Sequence, residues 1–175
     1  MKKRPVYTDE KQAQFERFVE FNEKNLARIM RQVNRMVNTE FTHFMTEKGF
    51  KNLTSRHLNV FDNIEITGTN IITLARRAYI TKQAMSKLVK EMHAAELVWT
   101  VVNPDDTRVL WVFPTNKAIE LMEEYKNLME ENNAQKESTV QFSSEQYETS
   151  FQFLNNLLKS YSKKASNTVL EAVEA

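Results

Sequence analysis

Residues that interrupt helices are rare in this chain, which has two glycines and three prolines among its 175 residues. Glycine and proline often end helices or form turns, so their scarcity predicts long helices with few breaks. The length is that of one ordinary domain, with one hydrophobic core and room for appendages used in association. We therefore expect a mainly α fold.

Apolar residues recur at helical spacing through the first part of the chain. They stand three, four or seven positions apart and predict one long helix over residues 8–45 with a single apolar face. This face comprises Phe15, Phe18, Val19, Leu26, Ile29, Met30, Val33, Val37, Phe41 and Phe44. A helix of this length extends beyond one small core, and the aromatic residues near its start suggest contact with a partner.

Short helices follow in the middle of the chain. They are predicted over residues 56–64, 71–78 and 82–96. Thr69 or Asn70 is a suitable N-cap for the second of these helices, and Thr81 for the third. Tyr79 and Ile80 leave only a tight connection between the second and third helices.

Beyond Leu97 the apolar pattern changes from helical to extended. β-Branched and aromatic residues predict strands over 98–102 and 109–113, joined by a turn that contains Pro104. Helix, tight turn, helix and hairpin are the parts of a winged helix-turn-helix, whose second helix enters the major groove of DNA. We therefore expect a mainly α fold with a small β-hairpin wing.

Two more helices are predicted after the hairpin, the first capped by Thr115 and the second over residues 144–161, with a polar linker at 130–139. The predicted divisions are an N-terminal dimerisation helix (1–50), a winged helix-turn-helix (51–115), C-terminal dimerisation helices (116–162) and a disordered tail (163–175).

Positive charge is concentrated around the predicted helix-turn-helix, although the whole chain carries a formal charge of only +1. The charged residues between positions 76 and 90 are Arg76, Arg77, Lys82, Lys87 and Lys90, and no Asp or Glu stands among them. A local basic face on a nearly neutral chain indicates an element that binds anions. The simpler alternative is a solvated helix face.

The predicted helix over 82–96 has outward side chains suited to reading DNA. Its apolar positions are Met85, Leu88 and Val89, which leaves Lys82, Gln83, Ser86, Lys87 and Lys90 on the opposite face. Gln and Lys can bond to base edges, Ser can bond to a base or a phosphate, and Lys neutralises phosphate charge.

Several short motifs follow one another between Leu53 and Lys117. They are Leu53-Thr54, Leu74-Ala75, Thr81-Lys82-Gln83-Ala84-Met85-Ser86-Lys87-Leu88-Val89, Leu97-Val98, Asp106-Thr107-Arg108 and Pro114-Thr115. Together they resemble the multiple-antibiotic-resistance regulators, the MarR family. Three positions depart from the family pattern. The glycine usual at the end of the recognition helix is replaced in Ala95-Glu96-Leu97, and the glycine usual after the wing is replaced by Ala118. The leucine usual before Thr115 is replaced by Pro114.

The resemblance implies a bacterial transcription regulator, expected to be a repressor, that grips a pseudo-palindromic operator in double-stranded DNA as a homodimer. In the family the wing arginine, here Arg108, reaches the minor groove, and Asp106 helps to hold the wing. Pairing of Arg108 with Asp105 or Asp106 is an alternative role. The residues expected at DNA are Arg56, Thr69, Asn70, Arg76, Arg77, Thr81, Lys82, Gln83, Ser86, Lys87, Lys90, Asp106 and Arg108.

Two further surfaces are expected. The dimer interface is predicted at Phe15, Phe18, Phe151, Leu154, Leu157, Leu158 and Tyr161, because these residues exceed what one small domain can cover. The resemblance also suggests that a small aromatic or anionic effector binds near Met30, Arg35, Val37, Phe41 and Phe44, and the plainer alternative is that this stripe is core.

Several functional classes are excluded by what the sequence lacks. There is no G-x-S-x-G, phosphate-binding glycine loop or H-E-x-x-H motif, so neither an enzyme nor a cofactor is expected. The absence of cysteine excludes disulfides and thiol chemistry. His43, His57 and His93 have no ligand-like spacing, so no metal site is expected.

The remaining expectations concern location and the alternative function. No apolar run approaches the ~20 residues that a membrane span requires, and no apolar signal segment follows the first lysines, so we expect a cytoplasmic protein without a membrane partner. A winged domain can also be a protein-interaction module that does not bind DNA. The basic outward face over positions 82–90 favours DNA binding over that alternative.

Overall fold

The computed structural model describes residues 5–103, 106–107, 109–140 and 143–174, and the side chains of all of these except 136–140 and 162–174. The chain divides into two compact units, residues 1–41 and 42–175. Across the described residues the fold is mainly helical with a three-stranded antiparallel sheet, which confirms the predicted fold class.

The prediction of one long N-terminal helix over 8–45 is wrong, because the structure has two helices there. Helix α1 spans Asp9–Glu23, and helix α2 spans Leu26–Glu47. Asn25 separates them: its side-chain oxygen accepts a hydrogen bond from the Ala27 N–H at 2.9 Å, as a helix N-cap does. Asparagine competes for backbone hydrogen bonds in this way, and apolar periodicity alone does not reveal it.

The second unit contains the winged helix-turn-helix elements in the predicted order. After the end of α2 they are a 3₁₀ turn at Ser55–His57, α3 at Leu58–Phe61, β1 at Thr69–Asn70, α4 at Ile71–Arg77, α5 at Lys82–Ala94, β2 at Val98–Val102 and β3 at Leu110–Pro114. The two predicted strands therefore form a hairpin, with β3 shifted by one residue.

The sheet has the order β1–β3–β2, and both pairings are antiparallel. Val98 pairs with Pro114 and Val102 with Leu110 across the hairpin, while Thr69 of β1 pairs with Val112. The sequence did not predict β1. A strand of two residues is too short to show an alternating pattern, so only the pairing with β3 defines it.

The C-terminal helices are longer than predicted. Helix α6 spans Asn116–Val140 and includes the polar segment 130–139 that was predicted to be a linker. Helix α7 spans Ser144–Glu174 and continues through residues expected to be disordered, which differs from the prediction of a helix ending near 161. No glycine or proline occurs in either helix, so the backbone continues as a helix where the apolar pattern fades.

The core of the second unit lies between α4, α5, the sheet and the first turns of α6. Its buried side chains include Leu74, Met85, Val89, Met92, Leu97, Val98, Val112, Ala118 and Leu121. Burial of one large apolar side chain contributes roughly 1.5–3 kcal/mol. These side chains therefore supply most of the force that holds α5 against the sheet.

Three helices end with the same hydrogen-bonded turn, in which one residue is left-handed. At the end of α2 this residue is Gly49 with φ +89°, at α4 it is Tyr79 with φ +54°, and at α5 it is Glu96 with φ +61°. At α5, for example, the Leu97 N–H donates to the Met92 carbonyl at 2.9 Å. A residue other than glycine in this conformation costs roughly 1 kcal/mol.

Among the described residues, no helix combines the length and the apolar character that a membrane span needs. Within the same residues, no group of three or more His, Asp or Glu side chains is placed to hold a metal ion.

We predict that Gly68→Ala destabilises the protein by about 2–4 kcal/mol, since a methyl group there adds overpacking to left-handed strain. An added Cβ at Gly68 would lie 2.4 Å from the Phe113 ring, and the backbone φ is +90°. Gly49→Ala is the matched control, because φ is +89° there but no atom lies within 4 Å of the added Cβ. We expect this control to cost only about 1 kcal/mol in urea unfolding, and equal losses at the two sites would contradict the packing argument.

Candidate nucleic-acid interface

Helices α4 and α5 form a helix-turn-helix whose two starts are capped by side chains. The Asn70 side chain accepts the Thr73 N–H at 2.8 Å at the start of α4. The Thr81 hydroxyl accepts the Ala84 N–H at 3.2 Å at the start of α5, as predicted. Each cap satisfies a backbone donor that a helix start leaves unpaired, so both helices begin at defined residues.

Helix α5 has one buried face and one exposed face. Met85, Leu88, Val89 and Met92 are buried. The side chains on the opposite face are Lys82, Gln83, Lys87 and Lys90, which are exposed, and Ser86, which is half-buried. The Ser86 hydroxyl donates to the Lys82 carbonyl at 2.8 Å and keeps its lone pairs available as acceptors. The outward face therefore presents amide, hydroxyl and ammonium groups to solvent.

Most of the cations predicted at DNA are exposed and lack an acidic partner. Within the described part of the chain, Arg56, Arg76, Lys82 and Lys90 form no ion pair. Lys87 lies 4.0 Å from Glu91 on the same helix, at the limit of an ion pair. An exposed pair of this kind contributes little and yields to a stronger anion. The face thus retains net positive charge.

Arg77 differs from the other cations because its guanidinium bonds to groups of the protein itself. Its guanidinium donates to the Asn63 carbonyl at 3.0 Å and forms an ion pair with Glu65. These two bonds tie the C-terminal end of α4 to the loop before β1. The ion pair with Glu65 was not predicted, because Glu65 stands outside the segment from 76 to 90 and only the fold brings it beside Arg77.

A buried histidine connects the 3₁₀ turn to α5. His57 is only 2% exposed, its Nδ1 accepts the Thr54 N–H at 3.0 Å, and its Nε2 lies 3.0 Å from the Glu91 carboxylate. Since Nδ1 acts as the acceptor, Nε2 carries the proton and donates to Glu91. The pair fixes the middle of α5 against the segment that contains Arg56.

Thr69 and Asp106, two of the residues predicted at DNA, form hydrogen bonds within the protein. Thr69 is buried and its hydroxyl accepts the Glu65 N–H at 3.0 Å, so we leave it out of the proposed DNA interface. In the wing, the Asp106 carbonyl accepts the Val109 N–H at 2.9 Å, and the Asn103 N–H donates to the Val109 carbonyl at 2.8 Å. Arg108 lies outside the described residues.

The junction between α5 and the wing is held by residues that follow β3. The Thr115 hydroxyl donates to the Glu96 carbonyl at 2.9 Å, and the Thr115 N–H donates to the Leu97 carbonyl at 3.1 Å. Lys117 donates to the Ala95 carbonyl at 3.2 Å and pairs with the Glu96 carboxylate at 3.3 Å. Glu96 thus takes the left-handed conformation at a position where the family has glycine, and these contacts hold it there.

An antiparallel wing beside a helix-turn-helix with a cationic outward face defines a winged helix-turn-helix protein. Residues 51–108 match the model of the MarR family. The matched residues lie within the winged helix-turn-helix region of the chain. Solved structures that share the fold over most of the chain include MarR proteins and other transcriptional regulators.

Similar solved structures cover most of the chain at low identity. A MarR protein from Peptoclostridium difficile is 20% identical, with a TM-score of 0.68 over 83% of this chain and 92% of its own. The transcriptional regulator SlyA is 12% identical, with a TM-score of 0.67 over 83% and 99%. MepR from S. aureus, solved as a DNA complex, is 17% identical, with a TM-score of 0.63 over 78% and 98%. No curated protein sequence matches the chain.

We predict that His57→Ala lowers the free energy of unfolding by about 2–3 kcal/mol, because it leaves a void and removes two hydrogen bonds of a buried side chain. His43→Ala is the control: His43 is exposed, pairs only with Glu47 at 3.5 Å, and should cost less than about 0.5 kcal/mol. Urea unfolding followed by circular dichroism measures both. A loss at His57 no larger than at His43 would show that the His57–Glu91 pair does not hold α5.

Proposed function

We propose that the protein is a sequence-specific DNA-binding transcription regulator, expected to act as a repressor, that places α5 in the major groove. The observation that carries this proposal is the outward face of α5. It combines Gln83 and Ser86, which can bond to base edges, with Lys82 and Lys90, which have no ion-pair partner in the described part of the chain. The buried face of the same helix holds these groups in a fixed orientation.

The alternative is a protein-interaction module that uses the same fold without DNA. The centres of protein interfaces are depleted of charge and enriched in aromatic residues. The outward face of α5 has the opposite composition, with lysine, glutamine and serine exposed. This composition favours a polyanionic partner, so double-stranded DNA is the partner that we propose.

We further propose that the protein acts as a homodimer. Of the predicted interface residues, Phe15 and Phe18 of α1 and Phe151, Leu154, Leu158 and Tyr161 of α7 are exposed, and Leu157 is half-buried. Exposed apolar side chains at helical spacing indicate a surface that a second chain covers. A two-fold dimer presents two α5 helices to one face of the duplex, which calls for half-sites about 10 bp apart.

Control by a small aromatic or anionic effector remains a prediction from the sequence. Phe44 is buried and its ring packs on Tyr125 with centroids 5.3 Å apart, so Phe44 belongs to the core of the second unit. Phe41 is also buried, whereas Met30 and Arg35 are exposed and Val37 is half-buried. An effector would have to bind one dimer geometry more tightly than the other in order to change DNA affinity.

We predict that Gln83→Ala relaxes base preference at one position of each half-site by about tenfold, because a good bidentate contact discriminates by about 1–3 kcal/mol. Lys90→Ala should instead weaken binding to every sequence and reduce the salt slope by about 1, since it removes one phosphate contact. Selection from sheared genomic DNA, followed by anisotropy on the enriched fragments and on random duplex, measures both effects.

Lys126→Ala serves as the control for the loss of one exposed lysine, because Lys126 lies on α6 and pairs with Glu123 at 3.1 Å. It should leave both affinity and preference unchanged. If Gln83→Ala changed neither quantity, the assignment of α5 as the reading helix would be wrong. If the unaltered protein enriched no DNA, the interaction-module alternative would be favoured.

We predict that the full chain sediments as a dimer at micromolar concentration and that Leu154→Asp shifts it toward monomer, because a buried unpaired carboxylate opposes association. Ile66→Asp is the matched control, since Ile66 is an exposed apolar residue of the winged region outside α1 and α7. It should leave the dimer intact. A monodisperse monomer for the unaltered chain would rule out the proposed dimer.

A further inference from the structure

The turn between α4 and α5 contains a tyrosine where the backbone favours glycine. Tyr79 has φ +54°, its N–H donates to the Arg76 carbonyl at 3.3 Å, and the Ile80 N–H donates to the Ala75 carbonyl at 3.1 Å. Turns of helix-turn-helix units often contain glycine, which adopts this conformation without strain. The backbone therefore requires a left-handed residue here and gives no reason for an aromatic side chain.

Packing covers only about half of the tyrosine side chain. The residue is 48% exposed. Among the described residues, its hydroxyl has no hydrogen-bond partner. A strained conformation that carries an exposed, unbonded donor points to a partner outside the chain, because strain of this kind collects at functional positions.

The position of the turn indicates which partner this is. Tyr79 lies three residues after Arg76, which is exposed and has no ion-pair partner among the described residues, and two residues before the Thr81 cap of α5. In a helix-turn-helix the first helix crosses the DNA backbone and the second enters the groove. If α4 and α5 dock in this way, the turn between them comes close to a backbone phosphate, and a tyrosine hydroxyl is among the groups that donate to phosphate oxygens.

We propose that the Tyr79 hydroxyl donates a hydrogen bond to a backbone phosphate of the duplex and so positions the start of α5 in the groove. The inference rests on the proposed DNA-binding function. Because the phenol is uncharged, this contact adds affinity without releasing a counterion. The slope of log affinity against log salt therefore distinguishes this contact from that of a lysine or arginine.

The test uses the full chain, genomic fragments that the unaltered protein enriches, and a random duplex of equal length. Tyr79→Phe should weaken binding to both DNAs by about ten- to a hundredfold, the range for one hydrogen bond to a charged acceptor. The slope of log affinity against log salt should stay unchanged, and so should the thermal midpoint. Tyr79→Gly should show the same loss of affinity while its thermal midpoint does not fall.

Glu96→Gly is the matched control, because Glu96 is, within the described residues, the other non-glycine residue with a positive φ, at +61°. It should relieve strain and leave DNA affinity unchanged. Equal binding by Tyr79→Phe and the unaltered protein would overturn the proposal. A loss confined to the enriched fragments would assign the hydroxyl to a base edge and overturn the phosphate contact. If the unaltered protein enriched no DNA, the proposed function would fail and this inference with it.

Discussion

Burial of one face of α5 determines how this helix is oriented within the winged helix-turn-helix. Met85, Leu88, Val89 and Met92 enter the core from this helix. Because the helix has 3.6 residues per turn, burial of these four residues fixes the direction of the lysines and of Gln83 on the opposite face. Any other rotation of α5 would bury an ammonium group, which costs several kcal/mol. The interactions that stabilise the fold therefore also orient the candidate DNA contacts.

The surroundings of α5 fix its position along its axis and its angle to the wing. The Thr81 cap sets its start, and the left-handed turn at Glu96 sets its end. Thr115 and Lys117 bond to the carbonyls of that turn, so β3 and α6 are attached to the end of α5 by hydrogen bonds. His57 and Glu91 add a bond at the middle of the helix. This arrangement explains how the turn forms here without the glycine that is usual in the MarR pattern.

The sequence was sufficient for features that local chemistry determines. The start of α5 follows from Thr81, the hairpin follows from runs of β-branched residues, and the mainly α fold follows from the scarcity of glycine and proline. Features that depend on distant pairing could not be predicted in this way. Strand β1 exists because Thr69 pairs with Val112, and Arg77 has a partner because the loop containing Glu65 lies beside α4. Asn25 shows that one polar residue can end a helix whose apolar pattern continues.

Cleavage by a tethered reagent can show whether the outward face of α5 lies in the major groove, as we propose. The chain has no cysteine, so Gln83→Cys provides a single thiol to which an iron chelate can be attached. We expect cleavage of an enriched fragment at two short segments about 10 bp apart, one for each α5 helix of the proposed dimer. Cleavage that is absent, or spread evenly along the duplex at the same bound fraction, would show that α5 does not lie in the groove.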